Sequence, residues 1–103
     1  GGAYGPSKAA VINLTTQMAL EWARYGIRVN GVSPGPIREE GTGWEAEEPE
    51  LAERIKRIPL KRAVSNGDVA EAVVYLASER ARSITGQTII VDAGSSITWY
   101  MTD

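Results

Sequence analysis

Hydrophobic positions recur along this chain with two different periods. From Ser7 to about Tyr25 the residues Val11, Leu14, Met18, Trp22 and Tyr25 fall three or four apart, which predicts a helix with these side chains as its core stripe. A second stripe of Ile12, Ala19 and Ala23, flanked by Thr15 and Thr16, leaves that helix little strongly polar surface, so it is expected to be covered on more than one face. Pro6 suits the first helical turn, and Gly26 suits a left-handed cap at the end. The period then shortens. Ile27 to Ser33 is rich in β-branched residues and reads as a strand, stopped by Pro34-Gly35-Pro36.

Residues 37–50 are charged and glycine-containing, with Gly41-Thr42-Gly43 and Trp44, and read as a long surface loop. Loops of this length often act as lids, and Trp44 is expected to anchor this one to the body. Leu51, Ile55 and Ile58 predict a short helix over 50–58 before Pro59. Ser65-Asn66-Gly67-Asp68 offers turn and cap chemistry ahead of an amphipathic helix over 69–77. Gln87 to Asp92 is a nearly continuous β-branched run, the pattern of a strand buried on both faces, and Ile97 to Asp103 forms a tail with Trp99 and Tyr100. The order is helix, strand, lid with a helix, helix, strand. A crossover that long joins strands in parallel. Two parallel strands cannot cover their own faces and edges, so the pattern predicts the C-terminal half of a doubly wound α/β sheet.

Composition narrows the function classes. The chain has 103 residues, the length of one small domain, and 43% hydrophobic with 23% charged residues is an ordinary globular balance. Eleven basic against thirteen acidic residues leave a formal net charge of -2, which argues against a nucleic-acid surface. Without cysteine or histidine there are no disulfides, thiol nucleophiles, histidine triads or common zinc sets. The acidic run Glu45, Glu47, Glu48 and Glu50 lacks the ligand spacing of a calcium loop, so no metal site is expected. No apolar segment is long enough to span a bilayer, and a cytoplasmic location is the expectation.

The candidate chemistry lies at Tyr4 and Lys8. Residues four apart share a helix face, and a cation together with the helix's positive end favours the phenolate, drawing the pKa down from about 10. Such a tyrosine can exchange a proton at cellular pH. The turn Pro34-Gly35-Pro36 lies just past the carboxyl end of a strand, where open α/β sheets bind ligands.

Four features in this order are Tyr4-x-x-x-Lys8 with Ser7 before the lysine, Ile27 to Val32 running into Pro34-Gly35-Pro36-Ile37, Gly67-Asp68-Val69-Ala70, and Ile84-Thr85-Gly86-Gln87-Thr88-Ile89-Ile90-Val91-Asp92-Ala93-Gly94. Together they resemble the C-terminal half of short-chain dehydrogenases/reductases across essentially the whole chain. The resemblance implies that residues 1–103 are the C-terminal half of a single Rossmann-type domain that binds NAD or NADP and moves a hydride between nicotinamide and a carbonyl or alcohol carbon. Tyr4 would be the acid/base group, and Lys8 would bind the nicotinamide ribose and lower the tyrosine pKa. Pro34, Gly35 and Ile37 would bound the nicotinamide, the main chain near Ile37 holding its carboxamide. The loop from Arg38 to Ile58 would close over a small-molecule substrate, and the helix around residues 7–25 would join a homo-oligomer. The family's glycine-rich phosphate turn, catalytic serine and cofactor-selecting residue lie upstream of these residues, so the 103 residues alone are expected to be inactive. The alternative is a non-catalytic half-length protein that acts as a self-association or complementation module. Glu39 stands where the family commonly has a threonine that helps hold the nicotinamide amide; a carboxylate cannot donate that hydrogen bond, and Ser33 and Thr42 are candidate substitutes.

Overall fold

A computed structural model describes residues 6–100. In order come α1 (Pro6–Trp22) with a 3-10 turn at Ala23–Tyr25, β1 (Gly31–Pro34), α2 (Trp44–Glu47), α3 (Pro49–Ile55), α4 (Asn66–Ala77), a 3-10 turn at Glu79–Ala81, β2 (Thr88–Val91) and a 3-10 segment at Ser95–Tyr100. The chain divides into two compact units, Gly1–Val32 with Ala72–Ile89, and Ser33–Glu71 with Ile90–Asp103. β1 and β2 form a two-stranded sheet whose residues belong partly to each unit. The Gly31 N–H donates to Gln87 O at 2.9 Å and the Gly35 N–H to Val91 O at 3.0 Å. Both residue numbers advance by four between these bonds, so the strands run parallel, as the long crossover requires.

In the first unit α1 is buried through small residues. Thr15 and Ala19 are covered, whereas Val11, Leu14, Trp22 and Tyr25 are exposed, Val11 to 61%. The expected core stripe is therefore wrong, and of the second stripe only Ala19, with Thr15 beside it, is buried, Ile12 and Ala23 being exposed as well. The reason is close approach: a Cβ at Gly31 would lie 3.7 Å from Thr15 Oγ1, and one at Gly86 would lie 3.4 Å from Ala19 Cβ. Thr15 removes its own polarity by donating its hydroxyl to Val11 O at 3.0 Å. Gly26, at φ 74, ends the helical run as a left-handed cap.

Strand β1 is shorter than the β-branched run. At 28–30 one backbone bond, Gly86 N–H to Val29 O at 2.7 Å, is joined by side-chain bonds: the Val29 N–H donates to Thr85 Oγ1 at 3.0 Å, and Asn30 donates through Nδ2 to Ile84 O and accepts from the Gln87 N–H. Arg28, half-buried, donates to three carbonyls, Leu76 at 2.8 Å, Ser78 at 3.1 Å and Ile84 at 3.2 Å. Leu76 O belongs to the last turn of α4, whose carbonyls have no helical partner, so the guanidinium closes that end. β2 also departs from expectation. Ile89 and Ile90 are exposed, not buried on both faces, because no other described residue covers them.

The second unit has its core in residues 44–63. Leu51, Ile55 and Ile58 cluster with Trp44, Ala63 and Ala93 packed against them, so Trp44 is the anchor that its place in the loop suggests. α4 starts three residues earlier than the hydrophobic period does, because Ser65 and Asp68 form a reciprocal capping box: the Asp68 N–H donates to Ser65 Oγ at 3.0 Å and the Ser65 N–H to Asp68 Oδ2 at 2.9 Å. Among the described residues no helix is long and apolar enough to cross a membrane.

Candidate functional site

Lys8 occupies the first turn of α1 and is half-buried. Pro6 places the helix start just before it, in keeping with the proline's preset φ and missing N–H. Tyr4 lies outside the described residues, so the pairing of phenol and ammonium rests on their spacing in the sequence.

The turn after β1 is described in full within the second unit. Gly35 continues the sheet pairing one residue past the strand through its bond to Val91 O. A Cβ at Gly35 would lie 2.9 Å from Asp92 Cβ and 3.1 Å from Asp92 Cα, so glycine is required there by the approach of another stretch of backbone. Beyond it the Val64 N–H donates to Pro36 O at 3.2 Å and the Arg38 N–H to Val64 O at 3.0 Å, an isolated parallel bridge at Ile37 and Val64. These bonds leave a single donor. Pro34 and Pro36 have no N–H, those of Gly35 and Arg38 are used, and the Ile37 N–H donates to no described residue. The Ile37 carbonyl accepts from Arg38 Nη1 at 2.8 Å. A planar acceptor such as a carboxamide oxygen therefore has one backbone donor to meet in this turn. The nicotinamide end of a dinucleotide fits that donor; the described residues contain no glycine-rich phosphate turn to hold its other end.

Asp92 supports the same turn from behind. Its carboxylate is buried and accepts from the Gly94 N–H at 2.9 Å, the Ser96 N–H at 2.8 Å and Ser95 Oγ at 3.3 Å. Burial opposes its charged form, but the hydrogen bonds from Ser96, Gly94 and Ser95 outweigh it and hold the pKa below the ordinary aspartate value. Ala93 at φ 57 and Gly94 at φ 93 make the chain turn sharply enough for these donors to converge.

Glu39 does not present its charge freely. Its Oε2 accepts the Asn66 N–H at 2.7 Å, and its carbonyl accepts the Thr42 hydroxyl at 2.8 Å. Thr42 is thus engaged in the turn, and Ser33 is buried in β1. Arg38 and Glu48 form a two-pronged ion pair at 2.6 and 2.7 Å that ties the lid's entry to the start of α3. Hydrogen bonding to Arg38 holds the Glu48 carboxyl below its usual range. An open cavity of about 570 Å³ has Arg38, Trp44, Ile55, Lys56, Lys61 and Arg62 among its lining residues.

Sequence reasoning missed Arg28 and Asp92. Asp92 had a signal, an aspartate two residues before glycine at the end of a strand, which is an Asx-turn pattern. Arg28 had none, since its acceptors lie 48 to 56 residues away.

A family model described as enoyl-(acyl carrier protein) reductase matches residues 1–96. The chain is 42% identical over 96 residues to an A-factor type gamma-butyrolactone 1'-reductase of Streptomyces virginiae, covering 91% of this chain and 37% of that protein. It is 46% identical over 99 residues to the 4-formylbenzenesulfonate dehydrogenase of Comamonas testosteroni, covering 91% of this chain and 39% of that protein. Among solved structures, a 4-hydroxyisoleucine dehydrogenase complexed with NADH superposes with a TM-score of 0.77 at 39% identity, over 88% of this chain and 38% of that one. The acetoin dehydrogenase YohF of Salmonella typhimurium gives 0.73 at 37% identity, over 92% and 35%. The chain therefore spans well under half the length of the relatives it matches.

Proposed function

Because this chain belongs to the short-chain dehydrogenase/reductase family, we propose that it is the substrate-side half of an NAD(P)-dependent oxidoreductase acting on a small alcohol or carbonyl compound. The observation that carries the reading is the Tyr4-x-x-x-Lys8 pair, present within a stretch that matches the family over residues 1–96. The nicotinamide supplies or accepts the hydride. Tyr4 gives the proton to the carbonyl oxygen in reduction and takes it from the alcohol in oxidation, and the Lys8 ammonium keeps the phenol acidic enough to do both. Pro34 and Gly35 would bound the nicotinamide, and the Ile37 N–H would be the donor for its carboxamide. The exposed apolar side of α1, including Val11, Leu14 and Leu20, joins a second subunit in this reading.

The test uses the intact polypeptide as its source makes it. We expect nicotinamide-dependent turnover that Tyr4→Phe lowers by about 10²–10⁴-fold, the usual worth of a positioned acid/base group. Lys8→Ala should weaken both nicotinamide binding and turnover. The 103 residues alone should show no turnover, since the phosphate-binding turn is not among them. A second reading is favoured by the exposed Ile89, Ile90 and α1 residues: a half-length protein that associates through these faces without catalysis. A native mass near that of 103 residues, with no binding of NADH or NADPH, would favour it and sink the first.

A further inference from the structure

The segment leaving β1 and the segment entering α4 lie side by side in the second unit and share three rungs. Two are the backbone bonds of the bridge, Val64 N–H to Pro36 O at 3.2 Å and Arg38 N–H to Val64 O at 3.0 Å. The third is Asn66 N–H to Glu39 Oε2 at 2.7 Å, made by a side chain. Between the two segments the chain makes the excursion 40–63, which carries α2, α3 and the Leu51, Ile55, Ile58 cluster.

Helix α4 has a local cap in the Ser65 and Asp68 box, which leaves the Asn66 N–H to Glu39. The Ser65 and Asp68 box already satisfies the donors that a capping box serves. The acceptor for Asn66 comes from 27 residues earlier in the chain, so the bond ties the lid's entry to the helix start. It is a strong bond of its kind, a carboxylate on an N–H at the positive end of a 12-residue helix. Its geometry is also fixed from behind, since Thr42 donates its hydroxyl to the Glu39 carbonyl and Gly43 turns the chain at φ 75.

We propose that Glu39 is a positioning residue: as the outer rung of this clasp it sets how closely the lid, residues 40–63, rests on the turn Pro34 to Ile37. Only the purpose of that closure rests on the reading of the turn as the nicotinamide's holder; the clasp is independent of it. A threonine at this position is too short to make the same bond to Asn66.

The experiment is amide hydrogen exchange followed by NMR on the intact polypeptide and its Glu39→Ala and Glu39→Gln variants, with no cofactor present. In Glu39→Ala the amides of Arg38, Val64 and Asn66 should exchange about tenfold faster or more, the loss expected for one charge-assisted hydrogen bond. The lid amides of Ala52 and Lys56 should follow, while Gly31 and Gly35 in the sheet and Val69 in the first turn of α4 stay within about twofold. Glu39→Gln keeps an oxygen acceptor and should restore most of the protection. Three outcomes overturn the proposal. Unchanged Arg38 and Val64 amides would show that Glu39 does not hold the clasp. Acceleration of Val69 equal to that of Arg38 would make Glu39 an ordinary helix cap, and acceleration of every amide by the same factor would make its role global stability. None of these outcomes bears on hydride transfer, and loss of the Tyr4 chemistry would leave the exchange pattern as predicted.

Discussion

Substituting Gly35 by alanine tests the geometry of the candidate cofactor turn most directly. The added methyl would sit 2.9 Å from Asp92 Cβ and 3.1 Å from Asp92 Cα, whereas non-bonded carbons settle at about 3.5–4.0 Å. One side must move by roughly 0.6–1 Å to open that distance. Asp92 cannot yield cheaply, because its buried carboxylate is held by Gly94, Ser95 and Ser96. The turn must therefore shift, and the Gly35 N–H bond to Val91 O at 3.0 Å lengthens with it. Overpacking of this kind costs about 1–3 kcal/mol. Urea denaturation of the chain should show that loss, and the amide resonances of Val91, Gly94 and Ser96 should shift. In the intact polypeptide, a displacement near 1 Å at a positioning turn predicts a fall in turnover of about 10²-fold. A variant within about 0.5 kcal/mol of the parent, with those three resonances unmoved, would refute the claim that Gly35 is required by the Asp92 backbone.

Arg28→Lys should lose about 1–2 kcal/mol by denaturation and Arg28→Ala about 2–4 kcal/mol, since one ammonium cannot span three carbonyls that a planar guanidinium reaches together; equal stability of Arg28→Lys and the parent would count against the three-way bond. Asp92 has a depressed pKa in the folded chain, so it stabilises the fold above the ordinary aspartate value of about 3.9, and that contribution is lost as pH falls through the depressed value. Melting temperature measured against pH should accordingly drop on the acid side, and Asp92→Asn should lower it at neutral pH while flattening the acid limb. Asp68 and Glu48 shift in the same direction but are screened by solvent, so the acid limb should shrink most for Asp92.

The hydrophobic period was enough to place the order of elements and the parallel pairing, because backbone geometry imposes periods of 3.6 and 2 wherever a face is buried. It also marked Trp44 as the lid's anchor and Pro34-Gly35-Pro36 as the turn at a strand end. Residue spacing placed Lys8 at the mouth of α1, and the same spacing is all that pairs it with Tyr4.

The sequence by itself could not decide which face of α1 is buried. Both stripes are apolar, and the choice fell to Thr15 and Ala19 because small side chains let the helix lie against Gly31 and Gly86. Nor could it assign partners that lie far apart in the chain. Arg28 meets the end of α4, Glu39 meets the start of α4, and Gly35 meets Asp92, contacts across 27 to 57 residues that carry no local pattern. Periodicity reports what a residue shares with its neighbours along the chain. Hydrogen-bond partners and close approaches exist only once distant segments have been brought together, so the tertiary structure alone decided them.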